Sequence, residues 1–434
     1  MTMSEWLAIG IALPVGLWAL VVGQRVWGAL LTLGLLLVAW GLTLAPWVWA
    51  VLAGVTLLLL AAEKLPNLSV RFPVLARLMP PDHKQRHWNR WRTATQWLLV
   101  AAMAIAALQY AVYMWQLGDG VPDVARPNIV DAFLPVAAAI QLKALFSYGL
   151  WDSAHPAGLM MLLVALLLSV VVKRGFCGWA CPIGWLGEQL YQLRRRVLPV
   201  NAIERLQLSD RRWSKAVLWL TTAVDWLLRA VKYALLAAMI NLVFLGMPGM
   251  MVMRYLNGAY HQAADMKMWV MFSSPSAPTL VGIVSIVALA AVRRNGFCRY
   301  LCPYGALMAI VGAFSPLKIR RDTDRCLRNT KGMDCDKCQR ACPSRINVHL
   351  VNTVHSDECN SCQRCVSACP SRGALASALP MNRIKLTPLA MVVIIVVTLF
   401  VIPLMGAGLG LWNSDVTDQI RVMLWQNIDK LPMF

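Results

Sequence analysis

Long apolar runs constrain this chain more than any other feature of it. Leu7 to Val22, Val26 to Ala45, Pro46 to Ala62, Gln96 to Gln116, Ala157 to Val172, Ala230 to Met247, Ala277 to Val292 and Pro388 to Trp412 are each nearly free of charge. Runs of roughly 17 to 25 such residues can cross a bilayer core as helices. Hydrophobic residues make up 59% of the chain, well above a soluble domain's share. The fold class is therefore a polytopic α-helical membrane protein of about eight spans. No Lys or Arg precedes the first run and no clear small-residue cleavage site follows it, so it reads as a retained span rather than a secretory signal.

Charge sets the orientation. Lys64, Arg71, Arg77, Lys84, Arg86, Arg90 and Arg92 crowd the connection after the third run, and short loops rich in Lys and Arg stay in the cytoplasm. Counting forward places Gly118 to Pro156 outside, where Asp119, Asp123, Asp131 and Asp152 outnumber Arg126 and Lys143. The next inner segment, Lys173 to Lys215, is again basic, with Arg194, Arg195 and Arg196 in a row. This map describes a multi-pass membrane protein with both termini outside. The net charge of +20 is then a topology signal with added attraction to anionic lipid. No nucleic-acid-reading motif accompanies it, which argues against such a partner.

All twelve cysteines fall in the inner regions of this map, where thiols stay reduced, so metal ligation is a better reading than disulfides. Cys359-x2-Cys362-x2-Cys365-x3-Cys369-Pro370 is the bacterial ferredoxin run, in which the fourth cysteine reaches to the neighbouring cluster. Its partner is Cys326-x8-Cys335-x2-Cys338-x3-Cys342-Pro343, with extra residues after Cys326. Crossing the fourth ligands assigns Cys326, Cys335, Cys338 and Cys369 to one [4Fe–4S] cluster. Cys359, Cys362, Cys365 and Cys342 take the second. Zinc usually sits on paired C-x2-C elements with a longer spacer and has no use for a duplicated C-P ending. A cytoplasmic, bacterial-type dicluster ferredoxin domain of the α+β kind is thus inserted between two spans, and its default role is electron transfer.

A second pattern occurs twice. RGFCGWACPIG and NGFCRYLCPYG each follow an apolar run at its inner end and carry Cys177 and Cys181, then Cys298 and Cys302. Two units of one orientation are related by an axis along the membrane normal, which would gather the four cysteines at the inner face. Pro182 and Pro303 suit the first turn of a following helix, leaving Cys181 and Cys302 at its partly positive end. Four thiolates there could hold a third iron–sulfur cluster. Redox-active dithiols, a copper site, and plain packing beside Gly184 and Gly305 are the alternatives.

The double C-x-x-x-C-P at inner span ends, followed by a dicluster ferredoxin, resembles the membrane ferredoxins of the NapH and NosR type over roughly residues 90 to 386. These are associated with periplasmic nitrate and nitrous oxide reduction. The resemblance implies an inner-membrane iron–sulfur protein linking the quinone pool or a cytoplasmic donor to a periplasmic reductase or redox system. Its enzymatic form would be a quinol dehydrogenase subunit. Three extra spans before the shared region, one after it, and no periplasmic flavin domain of the NosR type are departures that leave the particular reductase unassigned.

A quinone site needs a proton-handling group near a membrane face, and His155 with Asp152, together with His261, are the candidates in the outer connections. The competing reading is a histidine that hydrogen-bonds its own loop. No C-x-x-C-H motif supports covalent haem. Trp213 to Arg229 suits a helix lying on the inner surface, and GAGLG at 406 to 410 suits close helix packing rather than a nucleotide. Four parts follow: residues 1–95, a three-span extension with its basic loop; 96–317, a four-span repeat core; 318–386, the ferredoxin domain; and 387–434, a last span with a periplasmic tail. The rival function is a metal- or thiol-reducing assembly factor for a periplasmic or membrane oxidoreductase. A redox sensor is a further rival, disfavoured because no output domain is recognisable.

Overall fold

In the computed structural model the described residues are 87–197 and 212–431, apart from Arg372, residues 381–384 and Thr387. The three N-terminal runs and most of the basic loop after them lie outside the described residues. Trp97–Pro127 belongs to one compact unit, and His87–Gln96 with Asn128–Phe434 to the other.

The principal helices, in chain order, are α1 (His87–Asp119), α2 (Pro135–Tyr148), α3 (Pro156–Val172), α4 (Gly175–Trp179), α5 (Pro182–Val197) and α6 (Arg212–Ile240). They continue as α7 (Ala264–Ser273), α8 (Ala277–Val292), α9 (Gly296–Tyr300) and α10 (Pro303–Val311). Three helices among the described residues are long and apolar enough to cross a membrane: Arg92–Asp119, Thr222–Leu245 and Ala390–Gly408. A fourth span arises if α7 and α8, bent by 80°, count as one. Pro275 in the break between them explains the bend, since proline supplies no amide donor and restricts the residue before it. Each of the five apolar runs expected after residue 95 thus has a helix.

α3 is the hub of the second unit. Leu159, Leu162, Val164, Ala165, Leu168 and Val172 are all buried, while Leu167 and Val170 leave one side of this all-apolar helix exposed. Its counterpart in the second repeat, α8, buries only Ala290 among its described residues. The two repeats therefore share a local pattern but differ in surroundings. The helix expected to lie flat over Trp213–Arg229 instead runs unbroken into the following span as α6. No glycine or proline interrupts it, and its charged pair Asp225 and Arg229 sits i,i+4 at 3.3 Å. Because Asp225 also binds Arg299, the polar groups find partners without an aqueous face.

After α10 the chain leaves the bundle through β1 (Lys318–Arg321). The ferredoxin part then adds α11 (Lys337–Ala341), α12 (Arg364–Ala368) and β2 (Leu375–Ala378). The strands pair antiparallel, with Lys318 opposite Ala378 and Arg321 opposite Leu375. Each short helix lies within one cysteine run, and Ile319, Val348, Val354, Val366 and Leu375 close a small core around them. The chain ends with α13 (Pro388–Gly408) and α14 (Asp418–Gln426).

Candidate metal centres

Both cysteine runs fold so that three thiols from one and one from the other face a common space. Cys342, Cys359, Cys362 and Cys365 line one cavity. Cys326, Cys335, Cys338 and Cys369 line another. These are the crossed sets expected from spacing. Extra residues after Cys326 leave it on the wall, because Lys331–Asp334 loop out as exposed chain. Among the described residues, no three His, Cys, Asp or Glu side chains close on one point as a single metal ion requires. The thiols stand around a space instead, which fits a multi-atom cluster better than zinc. Ser361 and Gln363 take left-handed backbone angles, φ 50° and 59°, in the tight loop between Cys359 and Cys365. Burial pushes the Cys342 thiol up to about 12, with Cys362 and Cys359 adding to the rise.

The repeated pairs have the same local build. At the end of α3 both Lys173 and Arg174 adopt positive φ, 44° and 51°, and Asn295 does so after α8 at 55°. The chain then enters a five-residue helix, α4 or α9, carrying the first cysteine, breaks, and starts α5 or α10 on proline. Cys302 is the N-cap of α10, its sulfur accepting from the Gly305 amide at 3.3 Å, a helix-start donor that needs a partner. A Cβ at Gly184 would stand 2.9 Å from the Cys177 carbonyl oxygen, and one at Gly305 3.1 Å from that of Cys298. The glycine of C-P-x-G lets the new helix pass over the first cysteine's backbone.

Four cysteines gather as the repeat axis implied. Burial raises the Cys298 thiol well above its ordinary value, with Cys181, Cys302 and Cys177 all contributing. Cys181 is pushed up to about 12 by burial and by Cys177. Arg174 lies among them and faces Cys177 and Cys298. Met308, buried on α10, sets its thioether 3.4 Å from the Cys177 sulfur. Neither Arg174 nor Met308 was singled out from sequence, although Arg174 stands directly before the motif.

The outer candidates meet at the start of α3, a 17-residue helix about 25 Å long at 1.5 Å per residue, with Cys177 beyond its other end. His155 and His261 are fully buried. His261 Nε2 donates to Asp152 Oδ2 at 2.9 Å, which also accepts from Gln141 Nε2 at 2.6 Å. His155 Nε2 donates to the His261 carbonyl at 2.7 Å, while its Nδ1 pairs with Asp131 at 2.9 Å. Both ring nitrogens of His155 thus face oxygen atoms, the Asp131 carboxylate and the His261 carbonyl. Burial opposes ionisation of Asp152, yet the hydrogen bond and charge of His261 hold it below the ordinary carboxylate value. Asp131 and Gln141 were invisible as partners in sequence.

A helical bundle with membrane-length apolar helices, two cysteine repeats and an attached ferredoxin-like fold defines a membrane-associated protein of the ferredoxin type. A family model described as a 4Fe-4S binding domain matches residues 154–201 and 276–322, the two C-x-x-x-C-P repeats. The "Putative electron transport protein YccM" of Escherichia coli (strain K12) is 32% identical over 346 residues, 77% of this chain and 90% of that protein. The regulatory protein NosR of Pseudomonas aeruginosa is 25% identical over 43% of this chain and 22% of its own length. Ferredoxin-type protein NapH of Haemophilus influenzae is 24% identical over 42% of this chain and 51% of its own. No solved structure matches the chain. The chain belongs to the NapH/NosR-type family of membrane-associated 4Fe–4S ferredoxin-type proteins.

Proposed function

We propose that this protein is an inner-membrane electron wire whose ferredoxin domain, residues 318–386, carries two [4Fe–4S] clusters in the cytoplasm. Cys326, Cys335, Cys338 and Cys369 hold one, and Cys359, Cys362, Cys365 and Cys342 the other. Such clusters accept and release single electrons with little rearrangement of the protein. The observation that carries the reading is the pair of cavities, each walled by one crossed cysteine set. Cys177, Cys181, Cys298 and Cys302 hold a third iron–sulfur centre at the inner end of the repeat core, 96–317, with Arg174 offsetting thiolate charge. The wire joins the quinone pool or a cytoplasmic donor to a periplasmic or membrane redox partner. His155, Asp152 and His261 are its proton-handling groups at the outer end.

Anaerobic metal analysis with paramagnetic resonance tests this. About eight iron atoms per chain are expected for two cubane clusters, or about twelve with the third. Zinc in place of iron overturns the reading. A second reading, a metal- or thiol-reducing assembly factor, draws on the thioether of Met308 beside Cys177, since thiolate and thioether together suit Cu(I). Copper bound at the repeated pairs, with iron confined to the ferredoxin part, would favour it.

A further inference from the structure

The two ferredoxin sites are not equivalent in what they touch. The chain around Cys359 is clamped from both repeats and from α6. Lys173 Nζ donates to the Val354 carbonyl at 2.8 Å, and Arg174 Nη1 to that of Asp357 at 2.7 Å. The fully buried Trp179 donates from Nε1 to the Ser361 carbonyl at 3.0 Å. Tyr233 on α6 donates to Asp357 Oδ2 at 2.7 Å, and buried Lys232 pairs with Glu358. From the second repeat, Arg299 reaches Glu358 at 3.6 Å. A second clamp is centred on buried Glu188 of α5, where Arg92, Arg294 and Arg364 converge. Arg364 lies between Cys362 and Cys365.

Gly178 is what permits the closest approach. Any Cβ there would collide with the Asn360 carbonyl oxygen, next to Cys359. The second repeat has Arg299 and Tyr300 where the first has Gly178 and Trp179, and those two turn to Asp225, with Arg299 Nη2 at 2.7 Å and the Tyr300 hydroxyl at 2.5 Å. The local symmetry of the repeats is broken at these two positions. The other cysteine set has different neighbours: Arg321 Nη1 lies 3.8 Å from Cys326, and Cys369 donates to the Ser371 carbonyl at 3.3 Å. Cys326, Cys335 and Cys369 are half-buried and Cys338 is buried, whereas Cys359, Cys362 and Cys365 are buried and Cys342 is half-buried.

From this the geometry points to a fixed order: the Cys342/Cys359/Cys362/Cys365 site is the membrane-side member, seated on the first repeat by Gly178 and Trp179 as positioning residues, and the Cys326/Cys335/Cys338/Cys369 site faces a soluble one-electron partner. The inference rests on the reading that both sets hold clusters. Exchange between the membrane core and the ferredoxin part then takes place at the Cys359 loop, one electron lost on one side and gained on the other, with no bond made or broken. The exposed insertion after Cys326 lies on the outward site, where it leaves the seat free.

Full-length protein in detergent, reduced with dithionite, is measured by paramagnetic resonance with and without a water-soluble dysprosium chelate, which speeds relaxation of spins near solvent. Cys335→Ser and Cys362→Ser assign the two signals. In the wild type the chelate should act on the Cys326-site signal and spare the Cys359-site signal. Gly178→Leu should keep the iron content, make the Cys359-site signal sensitive to the chelate, and slow reduction of the four-cysteine centre by about tenfold or more, as displaced partners do. Trp179→Phe, which keeps an aromatic ring but removes the indole donor and part of the buried bulk, should shift the same readouts in the same direction by less. Hydrogen exchange of residues 354–362 reads the seat independently of any cluster, and should rise in Gly178→Leu. Equal sensitivity of both wild-type signals, or wild-type shielding and exchange in Gly178→Leu, overturns the inference. Absence of both cluster signals from wild-type protein would sink the proposed function instead, and the exchange arm would still decide whether Gly178 seats the loop.

Discussion

Glu188 shows what single residues contribute here. Its carboxylate, 3% exposed as a residue, faces Arg92 at 2.9 Å, Arg294 at 2.7 Å, and Arg364. Arg92 also donates from Nε to the Gly178 carbonyl at 2.8 Å, tying this group to the seat of the Cys359 loop. Removing one member of a buried ion pair strands its partners in low dielectric and costs about 3–5 kcal/mol. Glu188→Ala is therefore expected to lower the thermal unfolding midpoint clearly. Glu188→Gln, which keeps hydrogen-bond acceptance without charge, should fall between. Differential scanning fluorimetry in detergent checks both, and a midpoint within error of wild type for Glu188→Ala would assign the carboxylate no structural weight. No local pattern announces this residue, because its three partners lie far away along the chain and on three different segments. Charge at a span end read only as a topology signal.

Elements were far more legible. Each apolar run after residue 95 became a helix, and each ferredoxin run became a loop with a short helix, because both signals are local: length in one case and ligand spacing in the other. What sequence missed was orientation across the repeat. α3 and α8 look alike as apolar strings, yet α3 is central and α8 is largely exposed. Burial depends on which helices lie alongside, and periodicity is mute when every face is apolar. The shared element remains the turn that carries each cysteine pair, and it makes a sharp prediction. If Cys177, Cys181, Cys298 and Cys302 form one centre, Cys177→Ser and Cys298→Ser should each abolish the same resonance signal and remove a similar amount of iron, while both ferredoxin signals persist. Two independent dithiols would leave the other pair titratable by a thiol reagent in each variant, with no metal lost, and that result would discard the shared centre.

At the scale of the molecule, the structure orders the two ends of the bundle without reference to a membrane. Lys173, at the end of α3, holds the ferredoxin segment through Val354. At the start of α3, the Asp415 amide donates to the Ser153 carbonyl at 2.9 Å and Ser414 Oγ to that of Ala154 at 2.6 Å. The ferredoxin part and the chain after α13 thus lie at opposite ends of one helix. Lys173, Arg174, Arg293, Arg294 and Arg299 gather at the ferredoxin end with Glu188, Asp225 and Glu358 among them, while Asp131, Asp152 and Asp265 are buried toward the other, where Arg421 faces Asp265. Lys and Arg near span ends are retained in the cytoplasm, so reporter fusions after Arg345 should read as cytoplasmic and fusions after Asp415 as periplasmic. A fusion after Asp82, which lies outside the described residues, should also read as cytoplasmic on loop charge alone. Opposite sides for Arg345 and Asp415, but with Arg345 outside, would keep the architecture and reverse the charge argument. The same side for both would contradict the placement of α3 between them, and with it the separation of the outer histidine network from the cysteine sites.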